Sequence, residues 1–90
     1  MNMFEWDRSK AKQNEAKHAV SFSDTFAVFE DPNALTLDQT VGGEERFVSI
    51  GMDGFGRLLV VVYTWRGENI RIISARKAMR SEVRQYASQV

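Results

Sequence analysis

Apolar and polar positions change their spacing along this chain, and the change marks its elements. Val48, Ile50 and Met52 alternate within RFVSIGMD, DGFG supplies a turn, RLLVVVYTW is apolar on both faces, RGEN turns again, and NIRIISA completes the series. With ALTLDQ in front, this pattern predicts an antiparallel meander of four strands, with Leu59 to Tyr63 the most deeply buried stretch.

On either side of the meander the spacing is helical. Phe4 and Trp6 alternate with Glu5 and Asp7, after which Asp7 stands as an N-cap and Trp6 and Ala11 are set to staple a first helix from Arg8 to His18. Ser21 to Asp24 has capping-box spacing. Phe22, Phe26 and Phe29 then fall at i, i+4, i+7, predicting a second helix stopped by Asp31 and Pro32. From Met79 to Ser88, Met79, Val83 and Tyr86 share a face expected to pack on the sheet, with Arg80 and Arg84 one turn apart beside it. Two N-terminal helices, a four-stranded antiparallel meander and a C-terminal helix make an α+β fold.

Ninety residues are expected to form one domain, 1–90, around one core of modest size. No cysteine is present, so disulfides and thiolate metal sites are excluded. The longest apolar run, LLVVVY, is far short of a membrane span, and no signal-like apolar region opens the chain. A cytoplasmic protein without membrane contact is the expectation. The net charge of zero conceals an asymmetry: residues 1–56 carry 5 Lys and Arg against 10 Asp and Glu, and residues 57–90 carry 7 against 2. A basic end of this kind attracts polyanions.

FEWD at 4–7, Lys10, Asn14, KH at 17–18, VSF at 20–22, DP at 31–32 and the run GEERFVSIGMDGFGRLLVVVYTWRGENIRIISARKA from Gly43 to Ala78 together resemble the BrnT family over nearly the whole chain. The resemblance implies the toxin half of a bacterial type II toxin-antitoxin pair, with a RelE/ParE-like fold and a ribonuclease activity that stops translation and arrests growth. It also implies a cognate BrnA-like ribbon-helix-helix antitoxin, an RNA substrate, and contact with operator DNA only through the antitoxin complex. Two positions depart from the family's pattern. Ala19 stands where KHGVSF has glycine, at an expected left-handed helix end, and Met79 stands where ARKATRRE has a threonine able to cap the last helix with Glu82. Loss of that cap costs on the order of 1 kcal/mol and is expected to start the helix a turn late or fray it near Arg80.

Metal-free RNA cleavage needs a 2′-hydroxyl held in line with phosphorus, a group to move protons, and positive charge for the pentacoordinate transition state. Arg76 and Arg80 are the candidate charge stabilisers, because guanidinium stays protonated and matches two phosphate oxygens. His18, the sole histidine, and Lys17 beside it are the candidate proton movers. The plainer role for His18 is to cap carbonyls at the end of its helix. Lys77, Arg66, Trp65, Tyr86 and Arg84 are candidate RNA contacts, by charge or by stacking on unpaired bases. Against them stand the ordinary roles of solvated cations, hairpin packing for Trp65 and core packing for Tyr86. No metal motif and no cofactor is expected.

The leading expectation is thus a metal-independent endoribonuclease acting through 2′-hydroxyl attack. Two alternatives belong to other classes: a ParE-like toxin that acts by binding a protein such as gyrase, and a non-catalytic corepressor working with its antitoxin.

Overall fold

The computed structural model of the chain describes residues 3–88. The elements are β1 (Phe4–Glu5), α1 (Arg8–His18), a 3₁₀ helix (Phe22–Glu30), β2 (Leu35–Asp38), β3 (Phe47–Met52), β4 (Leu58–Arg66), β5 (Asn69–Lys77) and α2 (Arg80–Ala87). The five strands form one sheet in the order β1-β5-β4-β3-β2. Strands β2 to β5 are antiparallel neighbours, whereas β1 joins β5 in parallel, with Phe4 opposite Ile70 and Glu5 opposite Arg71.

This corrects the expected fold. The four-stranded antiparallel meander on two leading helices, and with it the RelE/ParE-like arrangement, gives way to an α+β domain with a five-stranded mixed sheet. The alternation of Phe4 and Trp6 with Glu5 and Asp7 is that of a strand. Only two of those residues pair, which is too short a run to be told from a helix lead-in.

The second expected helix is corrected as well. At about three residues per turn a 3₁₀ helix aligns i, i+3 and i+6, and the buried residues are Phe22, Thr25 and Val28, with Phe26 and Phe29 only half-buried. The Thr25 hydroxyl donates to the Phe22 carbonyl at 2.7 Å, which satisfies a polar group that faces the core. Gly51 lets this segment lie against β3, since a Cβ there would stand 2.8 Å from Val28 Cγ1.

Alternation along the strands produces two apolar clusters, one on each face of the sheet. On the first face Leu59, Val61, Tyr63, Ile70, Ile72 and Ala75 meet Val20, Phe22 and Val28, with Phe4, Trp6 and Ala11 packed around them. Phe4 stacks on Phe26 at 4.2 Å between ring centroids, which fastens β1 to the 3₁₀ helix. On the second face Val48, Ile50 and Val60 are covered by Leu35, Leu58, Ala78 and Tyr86. Helix α2 contributes no fully buried residue: Met79 is 60% and Val83 45% exposed, so the expected Met79–Val83–Tyr86 face is corrected to one formed by Glu82 and Tyr86. The helix nevertheless begins at Arg80 rather than a turn later, because the Glu82 carboxylate still accepts from the Met79 backbone N–H at 2.8 Å. No described helix is long and apolar enough to cross a membrane.

Helix α1 starts at Asp7, whose carboxylate accepts from the Lys10 N–H at 3.0 Å, and it ends at Ala19 with φ 58° and ψ 32°. Ala19 is the only non-glycine described with positive φ, as the family's glycine at that position led us to expect. The left-handed conformation costs alanine about 1–2 kcal/mol, and glycine's extra freedom in the unfolded chain returns about 0.4–1 kcal/mol of that. Ala19→Gly is therefore expected to stabilise the protein by on the order of 0.5–1 kcal/mol, a rise of a few degrees in Tm. Thermal unfolding followed by circular dichroism checks this, and a lowered Tm would contradict the strain at Ala19.

Candidate active site

Strand β1 pairs with β5 only at Ile70 and Arg71, so farther along β5 the outer backbone edge has no strand beside it. Asn14, on the inner side of α1, takes that place. The Ala75 N–H donates to Asn14 Oδ1 at 3.1 Å, and Asn14 Nδ2 donates to the carbonyls of Ala75 at 2.8 Å and Val20 at 3.0 Å. One buried side-chain amide thus copies the pairing of a neighbouring strand and locks α1 to the sheet edge.

The docking creates a cleft of about 290 Å³ between α1 and β5, lined by Lys10, Gln13, Asn14, Lys17, His18, Ile73 and Ser74. A bulge shapes its floor: Ser74 lies opposite Val62 and Ile72 opposite Tyr63, leaving Ile73 as the extra residue. Lys10, Gln13, Asn14 and Lys17 recur at helical spacing along one stripe, with His18 at the C-terminal end of the helix. The lining contains no carboxylate.

Arg76 lies two residues beyond Ser74, on the same face of β5 and about 7 Å farther along it. It makes a bidentate pair with Glu82, Nη1 and Nη2 each donating to one carboxylate oxygen at 2.8 Å, and Nη1 also reaches the Lys77 carbonyl at 3.3 Å. The hydrogen bonds to Glu82 raise the guanidinium further above its ordinary pKa, and in return the guanidinium holds the Glu82 carboxyl below the usual carboxylate range. A guanidinium has five N–H donors, so this arrangement leaves two for a ligand.

The other candidates are dispersed. Arg80 precedes Glu82 by two residues, about 200° around the helix, so Arg80 and Arg84 face away from the sheet and do not converge with Arg76. Lys77 lies opposite Leu59, on the first face of the sheet, and is exposed. Trp65 and Arg66 close the β4–β5 hairpin, and Trp65 is five residues along β4 from the Arg76 partner Val60, about 17 Å away. Arg66 lies 3.9 Å from Glu5, which also accepts from Arg71 at 3.2 Å and Asn69 at 3.2 Å. The Tyr86 hydroxyl donates to Asp31 at 2.7 Å. That bond, with burial and the Asp31 charge, raises the phenol's pKa, and the ring packs on the second apolar cluster.

The cations divide by whether a carboxylate stands beside them. Arg46, Arg57, Arg66, Arg71 and Arg76 each stand within 4.0 Å of a carboxylate. The Arg57 cluster is the most enclosed: Arg57 joins Asp53 at 2.8 Å and Asp24 at 2.9 Å and donates to the Ala19 carbonyl at 3.2 Å. Burial pushes the Asp53 carboxyl up, but the Arg57 backbone N–H and guanidinium hold it below its ordinary value on balance. Among the described residues Arg8, Lys10, Lys12, Lys17, Lys77, Arg80 and Arg84 have no such carboxylate partner, and of these Lys10 and Lys17 line the cleft with His18. No group of three or more His, Asp or Glu among the described residues is placed to hold a metal ion.

Sequence reasoning singled out Lys17 and His18 and passed over the roles of Gln13, Ser74 and Asn14. The i, i+3, i+7 spacing of Lys10, Gln13 and Lys17 was a legible signal for the first of these, but Asn14 and Ser74 gain meaning only from residues far along the chain.

A family model described as the ribonuclease toxin BrnT of type II toxin-antitoxin systems matches residues 6–82. Among solved structures, the 1.1 Å crystal structure of the Brucella abortus ribonuclease toxin BrnT is similar to this chain with a TM-score of 0.74 and 26% sequence identity. The match covers 89% of this chain and 100% of that one. No curated protein matches the sequence.

Proposed function

The chain belongs to the BrnT family of ribonuclease toxins of type II toxin-antitoxin systems, and from that premise we propose that it cuts RNA in the cleft between α1 and β5 by attack of the substrate's own 2′-hydroxyl. As a type II toxin it has an antitoxin partner. Our reading makes that partner a BrnA-like ribbon-helix-helix protein and leaves operator DNA to the complex of the two.

The observation that carries the mechanism is the cleft itself, which holds a histidine and two lysines with no carboxylate in its lining; the oriented guanidinium of Arg76 lies outside that lining, two residues along β5 from Ser74. A phosphodiester entering it meets positive charge without competition from fixed anions. His18 takes the proton of the 2′-hydroxyl as that oxygen bonds to phosphorus, and the bond from phosphorus to the 5′-oxygen breaks. The Lys17 ammonium gives a proton to the departing oxygen, and exchange with water restores both groups. Arg76 contacts the non-bridging oxygens, whose negative charge grows in the transition state. The products are a 2′,3′-cyclic phosphate and a 5′-hydroxyl. Lys77, Arg80 and Arg84, lying off this centre, raise the local concentration of RNA without entering the chemistry.

The test is chemical. A defined oligonucleotide incubated with purified protein in excess EDTA is expected to yield cyclic phosphate ends on the upstream fragment and hydroxyl ends on the downstream one, both resolved by mass spectrometry. The DNA oligonucleotide of the same sequence is expected to survive, having no 2′-hydroxyl. Fragments bearing 5′-phosphates, or cleavage that stops with EDTA and resumes with magnesium, would sink the mechanism.

A further inference from the structure

We infer that Lys10, Gln13 and Lys17 form a backbone-tracking subsite for single-stranded RNA, with Lys10 holding a phosphate remote from the bond that is cut. The inference rests on the active-site reading above and extends it along α1. Lys10 and Lys17 are seven residues apart, two helical turns and about 10.5 Å along the axis, which is too far for one phosphate and suits successive groups of a chain. Gln13 lies between them on the same stripe, with an amide able to donate and to accept at a ribose hydroxyl or phosphate oxygen.

Three further observations mark the stripe as a ligand surface. Glu15, the only acid within α1, faces a different cleft, which it lines with Trp6, Arg8 and Lys12. Asp7, whose carboxylate feels the Lys10 charge, is engaged as the helix cap. Asn14, the stripe's remaining member, is buried and bonded to β5, so the lysines project from a helix fixed in place. The cleft also contains no Phe, Tyr or Trp on which a base would stack, so its grip is on the backbone and tolerates sequence.

The decisive experiment compares Lys10→Ala with Lys12→Ala, two equal charge changes on opposite sides of one helix. The probe is a fluorescent 12-nucleotide RNA with 2′-O-methyl riboses throughout, which cannot undergo 2′-hydroxyl attack, titrated by anisotropy at several salt concentrations. Lys10→Ala is expected to weaken binding by about fivefold and to lower the slope of log affinity against log salt by about 0.7, the value of one single-strand phosphate contact. Lys12→Ala is expected to leave both unchanged. The Lys10 penalty is expected to shrink as the probe is shortened to two nucleotides, since the remote phosphate is then absent. Equal effects from the two variants, or an undiminished Lys10 penalty on the dinucleotide, would overturn the subsite. Because the probe reports binding alone, a Lys10-dependent interaction in a protein that leaves natural RNA intact would uphold the subsite and refute the cleavage reading. Cleavage that is indifferent to Lys10 would do the reverse.

Discussion

Replacing Arg76 with alanine is expected to slow RNA cleavage by roughly 100-fold, the usual scale for removing one preorganised donor from a transition state. Glu82 occupies the Nη side of the guanidinium and the Lys77 carbonyl takes a third N–H, so the two remaining donors are held in a fixed direction. That orientation is set before the substrate arrives and costs nothing at the moment of reaction. Arg76→Lys keeps the charge and loses the planar fork, so only a minor part of the rate is expected to return. The variant protein still folds, because the Arg76 side chain is about a third exposed and solvent screens the pair, limiting its contribution to about 1 kcal/mol or less. Single-turnover cleavage of a defined oligonucleotide, with thermal unfolding run in parallel, separates rate from stability. An Arg76→Ala protein that melts cooperatively and cuts at the parental rate removes Arg76 from the site.

The largest effect on the fold is expected from Asn14. Its amide satisfies three buried backbone groups, the Ala75 N–H and the carbonyls of Ala75 and Val20. Each group left unsatisfied costs about 1–3 kcal/mol. Asn14→Leu strands all three and excludes water from them, so a loss of at least about 3 kcal/mol is expected. For a domain of this size that is on the order of 15 °C in Tm. Asn14→Ala is expected to lose less, because the space it opens admits a bridging water. Urea unfolding of both variants gives the numbers directly. An Asn14→Leu protein within 1 kcal/mol of the parent would mean that the β5 edge is held by packing rather than by this amide.

How much of this was legible in the residues depended on how local each cause is. The Ala19 conformation follows from a helix ending at His18 and from the glycine usual there, and both lie within a few positions. Strand alternation at Val48 and Ile50, and the double-sided LLVVVY of β4, are likewise local. The 3₁₀ helix was misread because Phe22, Phe26 and Phe29 fit a period of 3.6 while Phe22, Thr25 and Val28 fit a period of 3.0. The choice between them is made by the sheet, to which Gly51 gives close access. Strand β1 escaped because two paired residues carry too little pattern. At the site, Lys17 and His18 were visible as residue types, and Glu82 was visible as a helix cap. The grip of Glu82 on Arg76 crosses the turn between β5 and α2, and the service Asn14 renders to Ala75 spans 61 positions. No window of sequence contains such a pair.

That separation sets an order of assembly during synthesis. Lys10, Lys17 and His18 leave the ribosome before the strand edge that turns them into a cleft has been translated. An unfinished chain that stops short of Ala75 lacks the strand edge to which Asn14 bonds. Contacts so distant along a polymer carry a larger loop-closure cost than the hairpins between β2 and β5. A chain still growing toward Ala75 therefore lacks the proposed site, whose parts meet only when β5 is in place.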